Sequence, residues 1–167
     1  MIRPILKYPD PILSQVGEAV TEFDAELHKL VADLFETTYV NQGIGLAAHQ
    51  VGIAKRVAVI DISRGENSAD KLVLINPEII FKERFMYEEE GCLSFSPDIR
   101  EKIVRSAKVT VRSQNEQGEW FEMDGENLLS RAMQHEIDHL DGILFIFRMS
   151  SLKRNLNMRK IRKMQQK

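Results

Sequence analysis

The sequence holds a single cysteine, Cys92, among 167 residues, and one cysteine closes no internal disulfide. The fold needs no oxidising compartment, and the thiol is left for a structural, reactive or metal-binding role. Long apolar runs are missing too; none approaches the roughly 18 residues of a membrane span. The opening MIRPILKYPDPIL has neither the apolar stretch of a secretory signal nor the Arg- and Ser-rich character of a transit peptide. These absences predict a cytoplasmic protein with no membrane partner. Repeats and low-complexity tracts are also absent, and at this length one core is expected rather than two. Acidic residues stop at Asp141, whereas eight Lys and Arg lie between Arg148 and Lys167, so the net charge of -2 conceals an acidic body and a basic tail. Such a tail is either a solvated helix face or an attachment to a polyanion.

What is present reads as a mixed fold. Thr21 and Asp24 form a helix-start signal, and Leu27, Leu30, Val31, Leu34 and Phe35 follow at helical spacing toward Asn41. GIGLAAHQVG is predicted as a tight loop with exposed backbone N–H groups. RVAVIDI, KLVLIN before Pro77, and EIIFKERFMYEE are β-rich, and IVRSAKVTVR with EWFEMD reads as a hairpin. A helix is expected from Glu126 to about Asp141 with Gly142 as its cap, and Ser150 or Ser151 opens a last basic helix. Without regular strand–helix alternation the class is α+β: short antiparallel sheets packed around a central metal-binding helix, with a basic C-terminal helix. Residues 1–149 form the catalytic body, and 150–167 form the basic helix as part of the same domain.

The chemistry concentrates in Gln134-His135-Glu136-Ile137-Asp138-His139, which contains H-E-x-x-H. Histidines four apart on a helix project from one face about 6 Å apart, so His135 and His139 can reach one ion. Glu136 is turned from them by about 100°, which sets its carboxylate beside the ion's open position as a proton carrier. A catalytic site of this kind wants a third protein ligand. His28, His49 and Cys92 are the candidates; a lone cysteine is more often a small core residue, but Gly91 allows close backbone approach and a thiolate suits a borderline cation.

GIGLAAHQ (Gly43 to Gln50), EGCLS (Glu90 to Ser94) and QHEIDH (Gln134 to His139) resemble, in order and spacing, the three signature motifs of the peptide deformylases. YPDPIL is similar to that family's opening, so the resemblance spans all but the tail. It implies Cys92, His135 and His139 as metal ligands, with Fe(II) foremost and Zn(II), Ni(II) or Co(II) also accepted. Glu136 would be the general acid and base, while the Gln50 amide and the Leu93 N–H would take the oxyanion. It also implies that Ile44, Gly45 and Gly91 meet the substrate backbone and that Leu128 lines a methionine pocket. The substrates implied are N-formylmethionyl nascent peptides, and the tail is a candidate ribosome (rRNA) contact.

Two positions depart from the family pattern. Pro97 comes one residue late, which shifts the loop after Cys92 and brings Arg100 toward the peptide channel. His49 replaces a frequent proline and reads as packing or surface rather than metal ligand. A zinc peptidase would share H-E-x-x-H, but Cys92 within EGCLS argues against it. A structural metal domain that binds nucleic acid would want four protein ligands, mostly cysteine.

Overall fold

Asp24, not Thr21, caps the first helix: its carboxylate accepts the Leu27 N–H at 3.0 Å, and α1 follows over Ala25–Val40. Such a cap is worth about 1 kcal/mol because that N–H has no partner within the helix. The structure, a computed structural model, describes residues 1–166; Lys167, the last cation of the tail, lies outside the described residues. The inner face of α1 packs Leu27, Leu30, Val31, Leu34 and Phe35 into one core with Leu46, Val57, Val59 and Ile75.

Among the described residues five strands form one antiparallel sheet in sequential order: β1 (Gly45–Ala47), β2 (Val57–Ile60), β3 (Leu72–Glu90), β4 (Glu101–Gln114) and β5 (Trp120–Glu126). The α+β class matches the expectation, and two details differ from it. KLVLIN and EIIFKERFMYEE join into the single 19-residue β3. Pro77 is tolerated inside it because the pairing with β4 shifts between Ile75 and Glu78, where its missing N–H is not needed. Asn76 holds that irregularity at φ 50, with its side chain bonded to both backbone groups of Val20 at 2.8 and 2.9 Å. The glycine-rich segment, expected as a loop, pairs Gly45–Ala47 with Ile60–Ala58 before it turns as a short 3-10 helix over Ala48–Val51. β1 therefore lies at the edge of the sheet with one side unpaired.

α2 (Asn127–Leu140) buries Ala132, Met133, Ile137 and Leu140, and it also buries Ser130, Gln134, Glu136, Asp138 and His139. Polar groups out of water need partners. Ser130 Oγ donates to the Ser106 carbonyl at 2.8 Å, while Gln134 accepts the Ser106 N–H at 3.0 Å and donates to its carbonyl at 2.9 Å. These bonds clip α2 to β4 and fix which side of the helix faces the cleft. Gly142, at φ 76, ends the helical segment as expected. Ser150 caps α3 (Ser151–Gln165), which buries only Asn157 and Ile161. Among the described residues no helix is long and apolar enough to cross a membrane.

Candidate metal centre and active site

Cys92 leaves the end of β3 and meets the two histidines of α2. Its Sγ lies 3.4 Å from His139 Nε2, and one ligand atom from each of Cys92, His135 and His139 falls within 4.8 Å of the others. Donors about 2.0–2.3 Å from one tetrahedral ion are about 3.4–3.6 Å apart, so the spacing fits a divalent metal. The donor chemistry fits as well. Burial holds His139 well below the usual imidazole range, which favours the neutral form that ligates; burial acts the same way on His135, but hydrogen bonds to Cys92 and Glu90 outweigh it and hold that imidazole above the range. Three protein donors with an open side correspond to a catalytic centre rather than a closed structural one.

His135 is oriented from behind. Its Nδ1 lies 2.9 Å from Glu90 Oε2, which leaves Nε2 for an ion. Burial works against charge on Glu90, but hydrogen bonds from His135 and Arg105 hold its carboxyl well below the usual range. Arg105 reaches both Glu90 oxygens, at 3.0 and 2.8 Å, and also Asp138 at 2.6 Å. Arg105 does not stand out in the sequence, and Glu90 does so only as the first residue of EGCLS. Glu90 is beside Gly91 and Cys92, but an acidic residue there carries no local signal for a buried role.

Glu136 is 4% exposed, and its Oε1 has no hydrogen-bond partner among the described residues. Burial pushes its carboxyl up to about 7. That value suits a group that must both take and give a proton near neutrality. Gly45 passes directly over it: a Cβ there would stand 2.7 Å from Glu136 Oε2.

Gln50 is set by the turn after β1. Its Oε1 accepts the Ala47 N–H at 3.0 Å, which turns Nε2 toward Ser94 Oγ at 3.1 Å and Cys92 Sγ at 3.6 Å. Lys7 Nζ donates to the Leu93 carbonyl at 2.6 Å, and the Leu93 N–H has no acceptor among the described residues. Ser94 closes the EGCLS motif, whereas nothing in the sequence alone marks Lys7 for a role at the site.

These groups open onto a cavity of about 670 Å³ lined by Ile44, Gly45, Gln50, Gly91, Cys92, Leu93, Leu128, His135 and Glu136. His139 sits behind them, 1% exposed. The loop after Cys92 places Arg100 on the same cavity, paired with Glu89 at 2.7 Å and packed against Gly91. The other histidines stay away. His28 faces Glu116 at 3.3 Å, and His49 is fully buried with its Nε2 2.9 Å from the Gln15 carbonyl.

An α+β scaffold that turns a thiol, two imidazoles and an unpartnered buried carboxylate toward one cleft is that of a metal-dependent hydrolase. Comparison with known proteins agrees. The family model "Polypeptide deformylase" matches residues 2–155. A peptide deformylase of Acidobacterium capsulatum is 69% identical over 165 residues, covering 99% of this chain and 96% of the relative. One from Thermodesulfovibrio yellowstonii is 45% identical, covering 96% of this chain and 97% of the relative. The crystal structure of a peptide deformylase from Legionella pneumophila superposes with a TM-score of 0.91 at 42% identity, covering 99% of this chain and 96% of the other. The chain belongs to the peptide deformylase family, metal-dependent enzymes that remove the N-formyl group from the N-terminal methionine of nascent polypeptides.

Proposed function

We propose that Cys92, His135 and His139 hold a single divalent ion, Fe(II) foremost, and that Glu136 carries the proton when the formyl group leaves. The observation that carries this reading is the convergence of the Cys92 thiol and two imidazoles beside a buried carboxylate without a partner. One thiolate and two imidazoles also accept Zn(II), Ni(II) and Co(II). When bound, the ion supplies Lewis acidity and a water of lowered pKa.

The chain's own groups do the rest. β1 offers a free edge, so an extended peptide pairs with the backbone of Ile44 and Gly45 on one side and meets Gly91 on the other. Leu128, 41% exposed on the cavity wall, takes the methionine side chain. Glu136 accepts a proton from the attacking water and returns it to the departing amine. Gln50 Nε2 and the Leu93 N–H donate to the formyl oxygen as negative charge builds there, and one such preorganised donor is commonly worth about 3 kcal/mol of barrier. The products are formate and a peptide with a free N-terminal methionine.

Residues 1–149 and 150–167 act as one domain in this reading, since Asn157 and Ile161 of α3 are buried and Ile161 packs with Phe145 and Met149. The exposed cations of α3 are read as a ribosome contact, and the cytoplasm, where nascent chains are made, as the place of action. Anaerobic purification, metal analysis and a formate-release assay on a formyl-Met peptide test the proposal. About one equivalent of Fe(II) with formate release supports it, and formate release from a fully chelated protein contradicts it.

A further inference from the structure

We infer that Arg148, in the turn that leads into α3, is a positioning residue for the metal centre and acts on His135 through Asp138, Arg105 and Glu90. The inference rests on the reading of His135 as a ligand. Arg148 lies outside all three signature motifs and outside the cavity, yet its guanidinium forks onto one carboxylate: Nη2 donates to Asp138 Oδ1 at 2.9 Å and Nε to Oδ2 at 3.1 Å. Asp138 Oδ2 also accepts Arg105 Nη1 at 2.6 Å. Arg105 then spans Glu90, with Nε on Oε1 at 3.0 Å and Nη2 on Oε2 at 2.8 Å, and that same Oε2 meets His135 Nδ1 at 2.9 Å.

Two features make Arg148 more than a surface ion pair. The inner side chains are nearly dry: Arg105 is 4% exposed, Glu90 7% and Asp138 11%, against 46% for Arg148. Charges in such surroundings keep a fixed geometry only while every oxygen has its donor. Moreover, Arg148 is the one side-chain donor to Asp138 Oδ1 among the described residues. Without it Asp138 competes harder for Arg105, whose guanidinium then leaves its paired position on Glu90. Arg131, 4.0 Å from Glu90 Oε1 and bonded instead to the Glu89 carbonyl, does not substitute for it. Glu90 is thereby freed to rotate, and with it the imidazole whose Nδ1 it holds. A direct partner of a ligand, the place Glu90 holds, typically changes metal affinity by about 10–100-fold when removed, and Arg148, further out, is expected at the low end of that range.

The test uses the full chain loaded with Co(II). Arg148→Met is expected to weaken cobalt binding about 10-fold in chelator competition and to alter the visible d–d absorption of the bound ion. Arg148→Lys keeps the charge but lacks the planar fork, so it gives a smaller shift of the same sign; it also serves as the readout should Arg148→Met not fold. A purely structural role lowers the melting temperature and leaves the spectrum alone. Wild-type cobalt affinity and spectrum in the substituted protein, whatever its melting temperature, overturn the inference while the ligand assignment stands. Cobalt affinity indifferent to His135→Ala overturns the ligand assignment itself and the inference with it.

Discussion

Gly45 and Glu136 are so close that a single methyl group on the glycine would stand 2.7 Å from the carboxylate oxygen. The backbones cannot easily yield, because Gly45 is paired to Ile60 in the sheet and α2 is held by the clip to Ser106, so the end of the Glu136 side chain has to move. Gly45→Ala is therefore expected to displace the Glu136 carboxylate without touching a metal ligand. Misplacement of about 1 Å at a reacting group costs on the order of 100-fold in rate. Measured kcat should fall by that order while metal content stays at the wild-type level. Unchanged kcat would show that the close approach of the glycine does not position the carboxylate.

Asp61 offers a pH-dependent test away from the metal. It is 1% exposed and accepts Tyr39 Oη at 2.6 Å, Ser63 Oγ at 2.6 Å and the backbone N–H groups of Ser63 and Gly65 at 3.0 and 3.1 Å. Burial opposes its charge, but the bonds from Ser63 and Tyr39 outweigh that and hold its carboxyl below the usual range. A depressed folded pKa contributes stability that is present above the unfolded value, about 4, and is lost as pH falls through the folded one. Asp61→Asn should cost on the order of 1–3 kcal/mol at pH 7, and the gap to wild type should narrow below about pH 4. Urea titrations at several pH values measure both, and a gap that widens in acid contradicts the sign.

Arg84 carries backbone strain. It sits within β3 at φ 59, a region that costs a residue with a Cβ about 1–2 kcal/mol. Its ion pair to Glu126, at 3.6 Å with both side chains more than half exposed, returns little. Arg84→Gly should raise unfolding free energy by about 0.5–1 kcal/mol. Chemical denaturation reads this directly, and a variant less stable than wild type would show that the arginine side chain contributes more than the left-handed backbone costs.

Deleting the basic tail is a poor test of ribosome contact, because Asn157 and Ile161 belong to the core and removing α3 would damage the body. Replacing the exposed Arg159, Lys160, Arg162 and Lys163 with Gln avoids that. Co-sedimentation with ribosomes should weaken, and its salt dependence should become shallower. Binding that survives the four changes with the same salt dependence rules out this contact.

The parts of this centre written in local periodicity were legible in the sequence. His135, Glu136 and His139 lie close together on one helix, and α2 forms where its spacing predicts. Cys92 is one of three candidates for the third ligand until the motif resemblance selects it, because its approach to α2 depends on the path of a whole strand. Glu90 and Arg105 illustrate what stayed hidden. They meet because β3 and β4 pair in one register, Glu90 with Glu101 and Met86 with Arg105, and a side chain four residues along β4 then reaches back to the same carboxylate. No local pattern encodes a pairing between strands. β1 is hidden in the sequence for a related reason: Gly45–Ala47 has little intrinsic strand preference and is extended because β2 pairs with it.

The most direct test of the central claim is formate release from a formyl-Met peptide by Glu136→Ala, compared with wild type at equal, verified metal occupancy. If Glu136 is the proton carrier proposed above, kcat falls by about 10²–10⁴-fold, with one equivalent of metal still bound, as the proposed ligands Cys92, His135 and His139 require. Wild-type formate release by the fully metallated variant would contradict the account.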